Sequence, residues 1–172
     1  MGSINQVLEK TIALAIKDLG SNRINFKQHF RPDLPTFLMD EGQLTQVFLN
    51  LLVNACEAIG DSKGTVSVST DLIRELTSKS DMPVPEQESH MHHVLVKISD
   101  TGRGIPQEAR DRIFYPFFTT KESGSGLGLA IAQKIVDSHD GQIDMDSFAG
   151  KGTTFRVKLP ICFQTSDRAG EQ

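Results

Sequence analysis

The segment QLTQVFLNLLVNACEAI, residues 43–59, limits the possible folds more tightly than any other stretch. Leu44, Val47, Phe48, Leu51, Leu52, Ala55 and Ile59 recur at steps of three and four, which predicts a helix with one apolar face that must be buried. Asn50, Asn54 and Glu57 follow similar steps along the border of that face, so their side chains stand on neighbouring turns. Asparagine is a mediocre helix former, and two at this spacing ask for a reason. An amide oxygen can ligate Mg²⁺ as a hard donor without adding negative charge beside a polyphosphate. An ordinary polar edge with local hydrogen bonds accounts for the same residues.

The rest of the chain alternates helical and strand patterns. Ile4, Val7, Leu8, Ile12 and Leu19 predict a helix over residues 4–19, stopped at Gly20. Residues 23–30 alternate as a strand, and Pro32 and Pro35 turn the chain. Strands are expected at 64–72 and 94–99, joined by a polar, aperiodic and mobile connection over 74–93. His90, His92 and His93 lie in that connection without the carboxylate or cysteine spacing of a metal site, so a solvated loop is expected there. A short helix after Pro106, a helix over 127–138 and two strands over 142–147 and 153–159 complete the pattern.

Two glycine-bearing stretches carry chemistry. In ISDTGRGIP a strand ends at Asp100, and Gly102 and Gly104 clear space around its carboxylate. Such an Asp can accept a hydrogen bond from an exocyclic amine while the glycines admit a flat base, although Asp-Thr-Gly is also ordinary turn composition. In GSGLGLAIAQK, Gly124, Gly126 and Gly128 run into a helix whose first N–H groups would be free to meet an anion. A glycine-rich turn for close helix packing is the competing explanation. Leu129 excludes a G-x-G-x-x-G turn and Ala130 excludes a P-loop. Between the two stretches, FYPFFTTK sets four aromatics without period, either as core filler or as cover over a ligand.

With 172 residues the chain is expected to form one domain with a core of its own. Its 18 basic and 22 acidic residues give no electrostatic footprint for nucleic acid or an anionic membrane, so any phosphate site must be local. Cys56 and Cys162 show no disulfide or metal spacing and no apolar run reaches a membrane span, so a soluble, cytoplasmic chain is expected, and a membrane-anchored parent is compatible with it. Both ends, residues 1–3 and 164–172, are expected to fray.

The order of these motifs, closed by Gly152-Thr153-Thr154-Phe155, resembles the ATP-binding catalytic domain of two-component sensor histidine kinases from about residue 25 to 160. FYPFFTTK is most similar to the nitrogen-regulatory branch of that family. The resemblance implies an α/β two-layer sandwich, a mixed, mostly antiparallel sheet with helices on one face and a mobile ATP lid. It implies Mg²⁺ on Asn54, with Asn50 beside it on phosphate or metal. Asp100 would receive the adenine amine in a pocket shaped by Gly102 and Gly104, with Thr154 near the adenine end. Residues 114–121, Phe114 and Lys121 included, would belong to the lid, and Gly124, Ser125, Gly126, Leu127 and Gly128 would wrap the phosphates.

Several positions depart from the family pattern. Glu57 stands where many members carry a cation, which turns attention to Lys121 as the phosphate-binding and catalytic cation beside Asn50. Asp140 replaces the first glycine of a common His-Gly-Gly turn, which reduces His139 to a helix-end histidine. Gyrase, Hsp90-like and mismatch-repair ATPases place a water-activating glutamate where this chain has Asn50; an amide is no general base, so transfer rather than hydrolysis is expected. None of the five histidines occupies a phosphoacceptor motif. Residues 1–22 then read as a helical link from a dimerisation domain that carries the acceptor histidine, 23–160 as the catalytic domain and 161–172 as a polar tail. The expected partners are ATP, that dimerisation domain and, indirectly, a response regulator. The alternatives are an ATP-hydrolysing switch of the gyrase or Hsp90 type, an anti-sigma-factor-like serine kinase, and a degenerate binding module.

Overall fold

The computed structural model describes residues 1–19, 23–76, 90–121 and 124–161. Nine elements follow in order: α1 (Ile4–Leu19), β1 (Ile24–His29), α2 (Glu41–Ile59), β2 (Gly64–Leu76), β3 (His90–Asp100), α3 (Gln107–Arg110), α4 (Gly128–Ser138), β4 (Gln142–Phe148) and β5 (Gly152–Ile161). The strands form one sheet in the order β1-β2-β3-β5-β4, parallel only between β1 and β2 and antiparallel elsewhere.

The apolar rows explain the layering. Val66 and Val68 of β2, Val94, Val96 and Ile98 of β3, and Phe155, Val157 and Leu159 of β5 alternate along their strands and are buried on one face. That face receives α2, whose stripe from Leu44 to Ile59 is buried throughout. On α2 pack α4, through Ala132, Ile135 and Val136, and α1, through Ile4, Val7, Leu8, Ile12 and Ala15. The expected α/β sandwich is therefore the observed one, and α1 contributes Ile4, Val7, Leu8, Ile12 and Ala15 to the common core.

Asp40 caps α2, its carboxylate accepting the N–H of Gln43 at 2.9 Å, and Gly60 ends the helix at φ 64°. His139 ties the far end of α4 to that cap. Its Nε2 accepts the N–H of Asp40 at 3.2 Å, and its Nδ1 lies 2.8 Å from the carbonyl of Ile135. This is the helix-end role expected of it, and the following Asp140 adopts φ 53°, a left-handed turn that aspartate tolerates better than most residues.

Three expectations change. Strands β2 and β3 reach Leu76 and His90, so residues 74–76 and 90–93 of the expected loop pair across the antiparallel ladder. Residues 77–89 lie outside the described residues. His93 is consequently a buried strand residue, and among the described residues no three His, Cys, Asp or Glu side chains gather as a metal site. The N-terminus does not fray: Gly2 and Phe37 exchange two backbone hydrogen bonds, of 2.9 and 3.2 Å. The segment 164–172 lies outside the described residues. Among the described residues no helix is long and apolar enough to cross a membrane.

Candidate functional site

A cleft of about 660 Å³ opens between α2, the end of β3 and the N-terminus of α4, within the range of small-molecule sites. Asn50, Asn54, Asp100, Gly104, Lys121, Gly124, Ser125, Gly126 and Gly128 all line it, so motifs far apart in sequence converge there.

One end is built around Asp100. The burial row of β3 runs Val94, Val96, Ile98, Asp100, which turns the carboxylate toward the helices at the point where the core stripe gives way to the cleft. Its Oδ1 accepts the N–H of Gly102 at 2.8 Å and that of Thr153 at 3.3 Å, which leaves Oδ2 for an incoming donor. Burial pushes the carboxyl above its usual range, and the two N–H groups pull it part of the way back. Gly102 does not line the cleft but lets the loop lie flat on α2. A Cβ there would come within 2.5 Å of the Ala58 carbonyl carbon, while the N–H of Arg103 donates to the Ala58 oxygen at 3.0 Å.

The threonine of this end is Thr153, not Thr154. Thr153 shares the inward face of β5 with Phe155 and lines the cleft. Thr154 points the other way, its hydroxyl 2.9 Å from that of Ser99 on the pairing strand. Phe114 is likewise displaced. It packs edge-on against Phe155, centroids 6.5 Å apart, and Phe118 takes its expected place at the cleft under the Arg112 guanidinium.

Ser147 had no warning in the sequence. Its buried hydroxyl accepts the N–H of Ile105 at 2.7 Å, lies 2.9 Å from the Thr153 hydroxyl and 3.1 Å from the Gly152 carbonyl, and so joins the loop after Asp100 to the β4–β5 hairpin. Ser147→Ala leaves the part-buried Ile105 N–H without this acceptor, and a stability loss of about 1–3 kcal/mol is expected in denaturant unfolding. A loss below about 0.5 kcal/mol would show that the hydroxyl holds nothing.

The other end is polar. Among the described residues no side chain caps α4, and its first residues Gly128 and Leu129 face the cleft, so the N–H groups and partial positive charge of its first turn are available to an anion. Leu127 is the N-cap residue and lies outside the lining. Asn50 Nδ2 donates to the Gly128 carbonyl at 3.0 Å, which fixes α4 against α2. Asn54 Oδ1 accepts from the Lys121 ammonium at 2.7 Å, and the same ammonium meets Glu57 Oε2. Two hard oxygen donors thus already surround a cation, so Asn54 and Glu57 suit Mg²⁺. Beneath them the Cys56 thiol is pushed up to about 11 by burial, with Asp100 and Glu57 adding to the effect, and stays protonated.

Relatives place this architecture. The chain is 34% identical over 165 residues to sensor histidine kinase ZraS of Salmonella typhimurium, covering 96% of this chain and 32% of ZraS. It is 37% identical over 170 residues to sensory histidine kinase/phosphatase NtrB of Azospirillum brasilense, covering 98% of this chain and 41% of NtrB. The chain thus spans about a fifth to two fifths of the length of the curated relatives it matches. Among solved structures, the nucleotide-free catalytic domain of histidine kinase ThkA superposes with a TM-score of 0.72 at 28% identity, over 93% of each chain. Residues 39–162 match the family described as "Histidine kinase-, DNA gyrase B-, and HSP90-like ATPase". That span holds α2, Asp100 and the glycine turn, so the chain that builds this cleft belongs to the histidine kinase, gyrase B and HSP90-like ATPase family.

Proposed function

We propose that this chain binds Mg-ATP and transfers the γ-phosphoryl group to a histidine on a separate helical dimerisation domain, as the cytoplasmic catalytic module of a two-component signalling kinase. The observation that carries the reading is the pairing of cleft ends: a buried carboxylate at one, an uncapped helix start and an amide pair at the other. Asp100 Oδ2 accepts the adenine amine, and the first turn of α4 receives phosphate oxygens. Asn54, with Glu57 within reach, would hold Mg²⁺, which when bound neutralises phosphate charge.

In the transfer an imidazole nitrogen forms a bond to γ-phosphorus while the bond to the β–γ bridging oxygen breaks, its electron pair leaving with ADP. The N-phosphorylated imidazolium then gives its ring N–H proton to solvent. Asn50, whose amide is tied to Gly128, offers no base to activate water, so the chain positions reactants and leaves hydrolysis slow rather than attacking covalently. No histidine is among the described residues that line the cleft. His139 is held at the end of α4, and His92 and His93 stand on β3. The acceptor therefore comes from outside, and α1 is the proposed connection to it. A response regulator would take the phosphoryl group onward.

Incubation with γ-labelled ATP tests this. The chain alone should take up no acid-labile label and release phosphate slowly, whereas adding the histidine-bearing helical domain should give acid-labile, alkali-stable label on that domain. Rapid phosphate release by the chain alone would favour an ATP-hydrolysing switch of the gyrase type, and label on one of its own histidines would overturn the transfer reading.

A further inference from the structure

We propose that Glu57 is the second protein donor of the divalent-cation site, and that the Lys121 ammonium is a built-in substitute holding the cation's place until metal and nucleotide arrive. The inference rests on the reading of the cleft as a Mg-ATP site. Three observations support it.

The first is geometric. Asn54 and Glu57 stand three residues apart on α2, on adjacent turns of a helix held at both ends, so their oxygens are presented together without ordering a loop. Lys121 bonds both, its Nζ 2.7 Å from Asn54 Oδ1 and in contact with Glu57 Oε2. A positive group held between two hard oxygens occupies the position an oxygen-seeking divalent ion would take.

The second is the charge of the cleft. Among the described residues, its acidic lining residues, Glu57 and Asp100, are matched by two basic ones, Arg103 and Lys121. Such a lining has no excess of positive charge with which to receive a triphosphate. Glu57 in particular would repel the phosphates unless a cation sat on it. Lys121, with one charge, cannot offset the charges of both Glu57 and a phosphate. A divalent ion on Asn54 and Glu57 can offset the first and leave the ammonium for the second.

The third is the contrast between the parts. The two oxygens lie on a rigid helix, whereas Lys121 follows a series of turns and reaches the site on a long, rotatable side chain. Its release needs a change of side-chain rotamer and no change in α2. Glu57 and Lys121 are both partly exposed, so neither is needed by the core.

The test measures ATP binding by calorimetry, first in EDTA and then across a Mg²⁺ series, for the wild type, Glu57→Gln and Lys121→Met. Glu57→Gln should bind metal-free ATP more tightly than the wild type, because a negative charge is gone and Lys121 is released. Its gain in affinity from Mg²⁺ should shrink by roughly 10–100-fold, the scale of a damaged metal site. Lys121→Met should act in the opposite sense, weakening metal-free binding and moving half-saturation to lower Mg²⁺. Direct titration with Mn²⁺, followed by its electron spin resonance signal without nucleotide, should show tighter binding to Lys121→Met than to the wild type. A wild-type Mg²⁺ response in Glu57→Gln, or an unmoved midpoint in Lys121→Met, would overturn the proposal while leaving the ATP site intact. If the wild type bound no ATP with or without metal, the reading of the cleft would fall and this inference with it. Thermal melts of both variants should match the wild type, which separates these outcomes from misfolding.

Discussion

Asp100→Asn should weaken ATP binding by roughly tenfold to hundredfold while leaving the fold at least as stable as the wild type. The amide oxygen can still accept the N–H groups of Gly102 and Thr153, which lie 2.8 and 3.3 Å from the carboxylate, so the loop and β5 keep their anchor. The change falls on the second atom. Where Oδ2 accepts the adenine amine, Asn presents an NH₂ group to another donor. A charge-assisted bond worth about 1.5–3 kcal/mol is lost, and 1.4 kcal/mol is a factor of ten. Stability moves the other way because burial holds the native carboxyl above its ordinary range. The native chain then keeps a proton at pH values where the unfolded chain has lost it. Stability from this group is greatest below the ordinary carboxylate range, declines as pH rises through the raised value, and is flat above it. At neutral pH the ionised Asp100 is a cost that Asn removes. Calorimetric ATP titration and thermal melts from pH 4 to 8 separate the two effects. Unchanged affinity in the folded variant would remove Asp100 from the base pocket.

Gly152→Ala should be the most damaging single-methyl change. Gly152 opens β5 at φ 94°, a left-handed conformation that L side chains adopt only with strain. An added Cβ would collide with the carbonyl oxygen of Asp100 and lie 3.1 Å from the Thr101 Cα, so strands β3 and β5 would have to part at their end. Strain and overpacking each contribute about 1–3 kcal/mol. At about 2–4 °C per kcal/mol for a domain of this size, the melting temperature should fall by roughly 5–20 °C. Nucleotide affinity should fall too, because the next residue supplies the Thr153 N–H to Asp100. Gly150→Ala is the control. It has φ 75° but open space around a Cβ, so it carries the backbone strain without the collision. Equal melting temperatures for the two variants would show that the close approach of β3 and β5 is unimportant.

The elements with a strong period were legible before any coordinates. Steps of three and four located α1, α2 and α4 to within about two residues, and the ordered glycine motifs brought most of the cleft together. Errors came where a side chain's direction depends on what its strand pairs with. Thr153 and Thr154 look equivalent in sequence, yet strand parity decides between them: Thr153 shares its parity with the apolar run Phe155, Val157, Leu159, and that signal was available. Phe114 and Phe118 could not be separated in this way, because the aromatic segment has no period and only tertiary packing shows which ring enters the core. Ser147 was invisible for another reason. One serine in a polar strand announces nothing until the hairpin turns it toward Ile105 and Thr153. Residues 74–76 and 90–93 read as loop because their polarity suits solvent, but the β2–β3 ladder extends through them.

The order of strands in space differs from their order along the chain. A polypeptide leaving the ribosome produces β1, β2 and β3 as a set that can pair at once, since each is adjacent to the next. β4 emerges afterwards with no neighbour, because the strand that must lie between it and β3 has yet to be made. Only when β5 appears can the sheet close, and the same strand delivers the backbone N–H that steadies Asp100. The pocket is therefore assembled only once β5 has been made, and a nascent chain halted before residue 153 would carry both asparagines and the glycine turn yet lack it.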